Sequence, residues 1–152
     1  MDKGIYCLVF HNGACTLPVG ALGPVQFSAG WHVYVGSALG SGGLARLERH
    51  IVLARDRDKC PKWHVDYLLT SDRFQLRYTV AAKTQEPLEC LLASAFGGSG
   101  IPNFGCSDCT CRSHLFFRRK DPARELRAAF RATGLVPVIT KTLMNPKRIR
   151  DS

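Results

Sequence analysis

Five residues of this chain have types and spacings that together could act on a phosphodiester: Tyr6, Tyr34, Arg46, His50 and Glu89. Tyr6 closes the triplet Gly4-Ile5-Tyr6, and Tyr34 opens Tyr34-Val35-Gly36; both triplets lie in apolar runs that read as strands. Arg46 and His50 are four positions apart, which on a helix puts them on one face a single turn apart. Glu89 lies in a later, strongly apolar segment. Hydrolysis of a phosphodiester needs a deprotonated water in line with the leaving oxygen. It also needs positive charge on the pentavalent transition state and stabilisation of the departing 3′ oxygen. Glu89 supplies the hard oxygen that Mg²⁺ or Mn²⁺ prefers, and one carboxylate suffices when waters and phosphate fill the other positions. Arg46 is permanently charged, with a guanidinium that matches phosphate geometry. A tyrosine whose ordinary pKa is near ~10 is a poor base, so nearby cations such as Arg46 are expected to lower it. Four of the five also have a plainer reading: a solvated helix face for Arg46, a surface histidine for His50, core aromatics for the tyrosines.

Charge favours a polyanionic partner. The 152 residues carry 21 lysines and arginines against 12 aspartates and glutamates, a net of +9. Each phosphate neutralised by such a surface releases condensed counterions. With 45% apolar residues the chain can bury a core, and its length is that of one domain. Its first apolar run is interrupted at His11 and Asn12, too early for a signal-peptide core, and no run is long enough to span a membrane. Seven cysteines without a secretory signal point to a reducing compartment, so the expected location is the cytoplasm.

These residues must be positioned by a mixture of short strands and helices. Gly4 to Phe10 reads as a strand closed by the Asn12-Gly13 turn, followed by extended pieces at Thr16 to Val19, Val25 to Ser28 and Trp31 to Val35. They are expected to form consecutive antiparallel strands. After the loop Gly40 to Gly43, Leu44 to Arg55 has helical periodicity, with Leu44, Leu47, Ile51 and Ala54 as the apolar stripe and Arg46, Arg49 and His50 off it. Trp63 to Leu69 and Pro87 to Phe96 read as helices, Phe74 to Ala82 and His114 to Phe117 as strands. Asp121-Pro122 opens a last helix that Gly134 stops. The fold class is therefore α/β in the α+β sense, a small central antiparallel sheet flanked by helices. Residues 1–134 form the domain, including a cysteine-rich loop at 99–115, and residues 135–152 form a basic extension.

In their order and context, Gly4-Ile5-Tyr6, Tyr34-Val35-Gly36, Arg46, His50 and Glu89 resemble the GIY-YIG nuclease superfamily, over roughly Gly4 to Asn103. Finer features extend the likeness to Phe117. They are Val19-Gly20-Ala21-Leu22-Gly23, Tyr34-Val35-Gly36-Ser37-Ala38, Trp63-His64-Val65-Asp66-Tyr67-Leu68-Leu69, Glu89-Cys90-Leu91-Leu92-Ala93, Phe104-Gly105-Cys106-Ser107-Asp108-Cys109 and Ser113-His114-Leu115-Phe116. They resemble one small branch of that superfamily, found alone or fused to base-excision DNA glycosylases. The resemblance implies a metal-dependent endonuclease cutting DNA in repair or processing, with one Mg²⁺ or Mn²⁺ held by Glu89. It implies that Tyr6 orients or deprotonates the attacking water with Tyr34 in support, and that His50 takes the tyrosine proton or binds a phosphate oxygen. Gly36, Ser37 and Arg49 are the expected substrate contacts, with Arg55, Arg57, Lys59 and Lys62 tracking the backbone. The pattern departs from the family at Ser37, where some members carry lysine, in the long glycine-rich loop before Arg46, and at Asn103, which only loosely matches the family asparagine.

The cysteine-rich loop reads as C-x2-C-x-C-x2-H through Cys106, Cys109, Cys111 and His114, with Cys60 and His64 as further ligand candidates. Four soft ligands could hold a structural Zn²⁺. The short spacer disfavours two knuckles, so reduced thiols packed in a tight loop are the preferred reading. His64 and Asp66, two apart on a helix, do not face each other; a buried polar anchor tying that helix to the sheet is expected. The alternative to an enzyme is a non-catalytic nucleic-acid-binding module with zinc in this loop, which leaves the aligned Tyr6, Tyr34, Arg46 and Glu89 as coincidence.

Overall fold

The computed structural model describes residues 2–105 and 111–142. In chain order the elements are β1 (Gly4–Asn12), β2 (Cys15–Pro18), β3 (Pro24–Phe27), β4 (Gly30–Ala38), α1 (Ala45–Asp56), α2 (His64–Leu69), β5 (Phe74–Lys83), α3 (Glu89–Phe96), β6 (Leu115–Arg118), α4 (Ala123–Ala132) and β7 (Val138–Lys141). The expected α+β class, a central antiparallel sheet flanked by helices, is what is found.

β1 organises the sheet because it is apolar on both faces. Ile5, Cys7 and Val9 join the cluster under α3 and α4; Tyr6, Leu8 and Phe10 join the one under α1 and α2. A strand buried on both faces belongs in the middle, and β1 is flanked antiparallel by the two long strands β4 and β5. β6 lies outside β4 and β7 outside β5, giving the order β6-β4-β1-β5-β7.

The expectation of consecutive antiparallel strands is thereby corrected. β2 and β3 form a separate two-stranded sheet, and the chain returns through β4 to pair with β1. β2 alternates between half-buried and exposed positions, β3 does the same up to the buried Phe27, and the ribbon closes at a Pro18–Pro24 pair that has no amide hydrogens to donate. They therefore suit a peripheral ribbon. The expected extension beyond residue 134 is also part of the fold as far as it is described: Leu135 lies in the core and β7 pairs with β5. The tail expected to be basic and frayed, from Asn145 on, lies outside the described residues.

Two features of the sheet matter for the site. The register sets Tyr6 opposite Gly36 and Leu8 opposite Tyr34, so both tyrosines rise from neighbouring positions on one face. β6 pairs with β4 only as far as Tyr34, after which a single bond runs from Val35 N–H to His114 C=O. The first turn of α3 approaches the sheet where β4 has outrun β6.

Two buried histidines give the fold a pH dependence. His32 lies wholly buried among Phe27, Phe74 and Phe117, with Nδ1 2.7 Å from Asn12 Oδ1, and burial holds its pKa down to about 4. His50 is likewise held down to about 4, chiefly by burial. In the unfolded chain both return to about 6.5. As the pH falls through that value, only the unfolded state takes up protons, so stability declines until about pH 4 and then levels off, by up to about 3 kcal/mol per histidine. Thermal melts are expected to show Tm falling between neutral pH and about 5, with a flatter profile for His32→Gln. A Tm independent of pH over that range would contradict the assignment.

Candidate functional site

Tyr6 is 1% exposed, and its hydroxyl lies 2.8 Å from His50 Nε2, across 44 positions of chain. The contact requires His50 to face inward. His50 and Ala54 are the buried residues of α1, while Leu44, Leu47 and Ile51 are half-buried, so the expectation that His50 lies off the apolar stripe is corrected. The spacing explains why: Leu47, His50, Ile51 and Ala54 follow i, i+3, i+4, i+7, and the histidine occupies a core position by period although it is polar by type.

Gly36 has a steric task. A Cβ there would stand 2.5 Å from the Tyr6 ring, so only glycine lets the ring lie across β4. Arg46, one turn before His50 on α1, sends Nη1 to the carbonyl of Ser37 at 3.1 Å and carries its guanidinium over the Trp63 ring, 5.0 Å from the centroid. The Ser37 contact therefore runs through the backbone. Trp63 is 49% exposed at the lip of the site.

The electrostatics correct one expectation. The Tyr6 hydroxyl is pushed well above its ordinary range, first by burial, then by Tyr34, with Arg46 opposing and Glu89 adding to the rise. Arg46 does not prevail because the cost of an ionised phenol in a buried position exceeds its attraction. His50 stays neutral at physiological pH, with Asp66 raising its basicity and Arg46 and Arg49 lowering it. A neutral imidazole can accept the tyrosine proton at Nε2.

Glu89, the first residue of α3, reaches the same place. Tyr6, Tyr34, Arg46, Lys62, Trp63 and Glu89 line one cleft of about 620 Å³, together with Ser37, Leu39, Gly40, His64 and Gly105. The side chain of Glu89 is 28% exposed, and its Oε2 lies 3.3 Å from His114 Nδ1. Glu89 is the one carboxylate of the cleft among the described residues. An adjoining cleft shares Arg46, Lys62 and Trp63 and continues past His50 to Arg49 and Lys59. Of the other expected basic contacts, Arg55 is paired with Asp56 at 2.9 Å, and Arg57 occupies the left-handed C-cap of α1.

Asp66 and His64 have local tasks. Asp66 Oδ2 accepts the backbone N–H groups of Lys62 and Trp63, which caps α2 rather than tying it to the sheet as expected. His64, its pKa lowered by burial, accepts the Gly105 N–H at Nδ1, 2.9 Å away, and so fixes the loop at the rim of the cleft.

Of the expected zinc ligands, Cys106 and Cys109 lie outside the described residues. Among the described residues, Cys90, Cys111 and His114 form a cluster that could hold a metal ion, their ligand atoms all within 4.8 Å of one another. Lys62, expected to track the nucleic-acid backbone, lines the cleft itself, whereas Cys90 as a ligand and His114 as the partner of Glu89 were not singled out from the sequence. Trp63 carried a weak signal as the residue opening the motif around α2. Among the described residues no helix is long and apolar enough to cross a membrane.

The family model described as "Domain of unknown function DUF123" matches residues 5–135. No curated protein and no solved structure matches the chain.

Proposed function

We propose that this chain, which belongs to the DUF123 family, is a GIY-YIG-type endonuclease that hydrolyses phosphodiester bonds in DNA with the help of one divalent cation. The observation that carries the reading is the meeting of two strand tyrosines, a helical arginine and histidine, and a distant glutamate around a single cleft. The net charge of +9 suits a polyanionic substrate. Repair or processing of DNA in the cytoplasm belongs to the same reading.

The donor set fits a hard cation. Glu89 offers a partly exposed carboxylate in an open cleft, with room for waters and a phosphate to complete the coordination. Mg²⁺ or Mn²⁺ held there would neutralise charge on the scissile phosphate and the departing 3′ oxygen.

The chain's own residues handle the phosphate and the proton. Arg46 spends one N–H on Ser37 and lies over the Trp63 ring, which leaves a guanidinium placed at the cleft with N–H groups to grip a phosphoryl oxygen. The attacking water gives a proton to the Tyr6 oxygen as the tyrosine proton passes to His50 Nε2, so no free tyrosinate has to persist in a buried position. The water oxygen then bonds to phosphorus, and the 3′ oxygen leaves with its electron pair. Tyr34, beside Tyr6, supports the water. Lys62, Lys59 and Arg49 run from the cleft along its neighbour and follow the backbone without reading bases.

The test is a panel of labelled single-stranded, duplex, nicked and branched DNA incubated in Mg²⁺, in Mn²⁺ and in a chelator. Cleavage of at least one structure, dependent on the ion, is expected. Binding without cutting in either ion would instead support a non-catalytic nucleic-acid module and end the nuclease reading.

A further inference from the structure

Behind Glu89 the described thiols and His114 make a second, softer donor set. Cys90 comes from the first turn of α3, while Cys111 and His114 come from the loop before β6. Cys90 Sγ is 3.8 Å from His114 Nε2. A tetrahedral zinc with Zn–S of about 2.3 Å and Zn–N of about 2.0–2.1 Å would hold those atoms ~3.6 Å apart. The separation is already close to that of a bound pair.

The imidazole is oriented for ligation. His114 Nδ1 lies 3.3 Å from the Val35 carbonyl and 3.3 Å from Glu89 Oε2. Both neighbours are acceptors, so the ring proton sits on Nδ1, and Nε2 turns its lone pair toward Cys90. The ring is 1% exposed, and its backbone is pinned on both sides, N–H to Phe104 C=O and C=O to Val35 N–H. A histidine with a carboxylate and a carbonyl behind it and thiols before it has the usual surroundings of a metal ligand.

We propose that Cys90, Cys111 and His114 bind a thiophilic divalent ion, zinc by its chemistry, and that Glu89 orients His114 from behind. Thiolates reject Mg²⁺ and Mn²⁺ and select zinc-like ions, so this ion differs from the one assigned to the cleft. The site staples the cysteine-rich loop to α3, where the sequence spacing alone would have kept it within the loop. It thereby holds the two segments that carry Glu89 and its partner. This last consequence rests on the nuclease reading; the metal site itself does not.

Protein produced in zinc-supplemented cells and purified reduced, without chelators, is expected to carry one zinc per chain by elemental analysis. After exchange with cobalt it should show thiolate-to-cobalt charge transfer in the near ultraviolet and the strong visible bands of a tetrahedral site. Cys90→Ser and Cys111→Ser should each lose the metal, whereas Cys60→Ser, which alters an exposed thiol, should keep it. Glu89→Gln should keep stoichiometric zinc, bound about tenfold more weakly, even though its cutting of DNA is strongly slowed. That variant separates failure of the metal site from failure of the nuclease reading. Folded wild-type protein with neither zinc nor thiolate–cobalt bands overturns the proposal, as do both serine variants retaining full zinc. The wild-type cobalt spectrum decides the matter even where a serine variant does not fold.

Discussion

Glu89→Gln should lower the single-turnover rate of DNA cleavage on the order of 10²- to 10³-fold or more while leaving DNA affinity, measured in a chelator, nearly unchanged. Glutamine has the shape of glutamate, and its amide oxygen can still accept from His114 Nδ1, so the local packing survives. What disappears is the one negative charge of the cleft among the described residues, and with it the hard ligand a divalent cation requires. Because the cation acts on charge that develops during bond breaking, the loss belongs in kcat rather than in binding. Raising Mn²⁺ should restore part of the rate, since weakened affinity is offset by concentration. Full activity in the variant would remove Glu89 from the mechanism and, with it, the physical basis for the nuclease proposal.

Tyr6→Phe should have a comparable effect, about 10²- to 10⁴-fold on the cleavage rate, the range expected for losing a positioned proton-transfer group. The substitution keeps the ring that Gly36 accommodates and removes only the oxygen bonded to His50. His50→Gln should fall in the same range. The two substitutions together should cost little more than either alone, because they break the same proton path. A pair of losses that multiply would mean separate roles and would end the relay. Tyr34→Phe, beside the relay, is expected to act more weakly. A stability check belongs alongside. Tyr6→Phe leaves the His50 nitrogen buried without the hydroxyl, a cost of about 1–3 kcal/mol that thermal melts will register. The rate comparison is therefore made well below the variant's Tm.

Both effects depend on parts of the molecule that differ in how far they could be read from residue order. The elements themselves were legible. The apolar, strand-favouring run of β1 with its Asn12-Gly13 turn, the 3.6-residue period of α1 and the Asp121-Pro122 entry to α4 act over a few residues each, and the structure has them close to their expected limits. The Arg46–His50 spacing was legible for the same reason, since one helical turn is a local property. His50's burial was also present in the period and was missed by classing it with the polar residues. The sign of the Tyr6 shift could not be foreseen, because the attraction of Arg46 is visible as a charge in the sequence whereas the depth of burial is not.

By itself, then, the sequence determined which segments are strands and helices, which of their faces avoid water, and which residue types were on hand for phosphate chemistry. Only the tertiary structure decided that β1 lies between β4 and β5, that β2 and β3 stand aside as a ribbon, and that α3 begins where β4 runs past β6. Those choices bring Glu89 to Tyr6 and Cys90 to His114. The reason is one of range. Backbone preferences and capping bonds act between near neighbours in the chain. Which apolar face meets which other is settled by packing the whole set of faces at once.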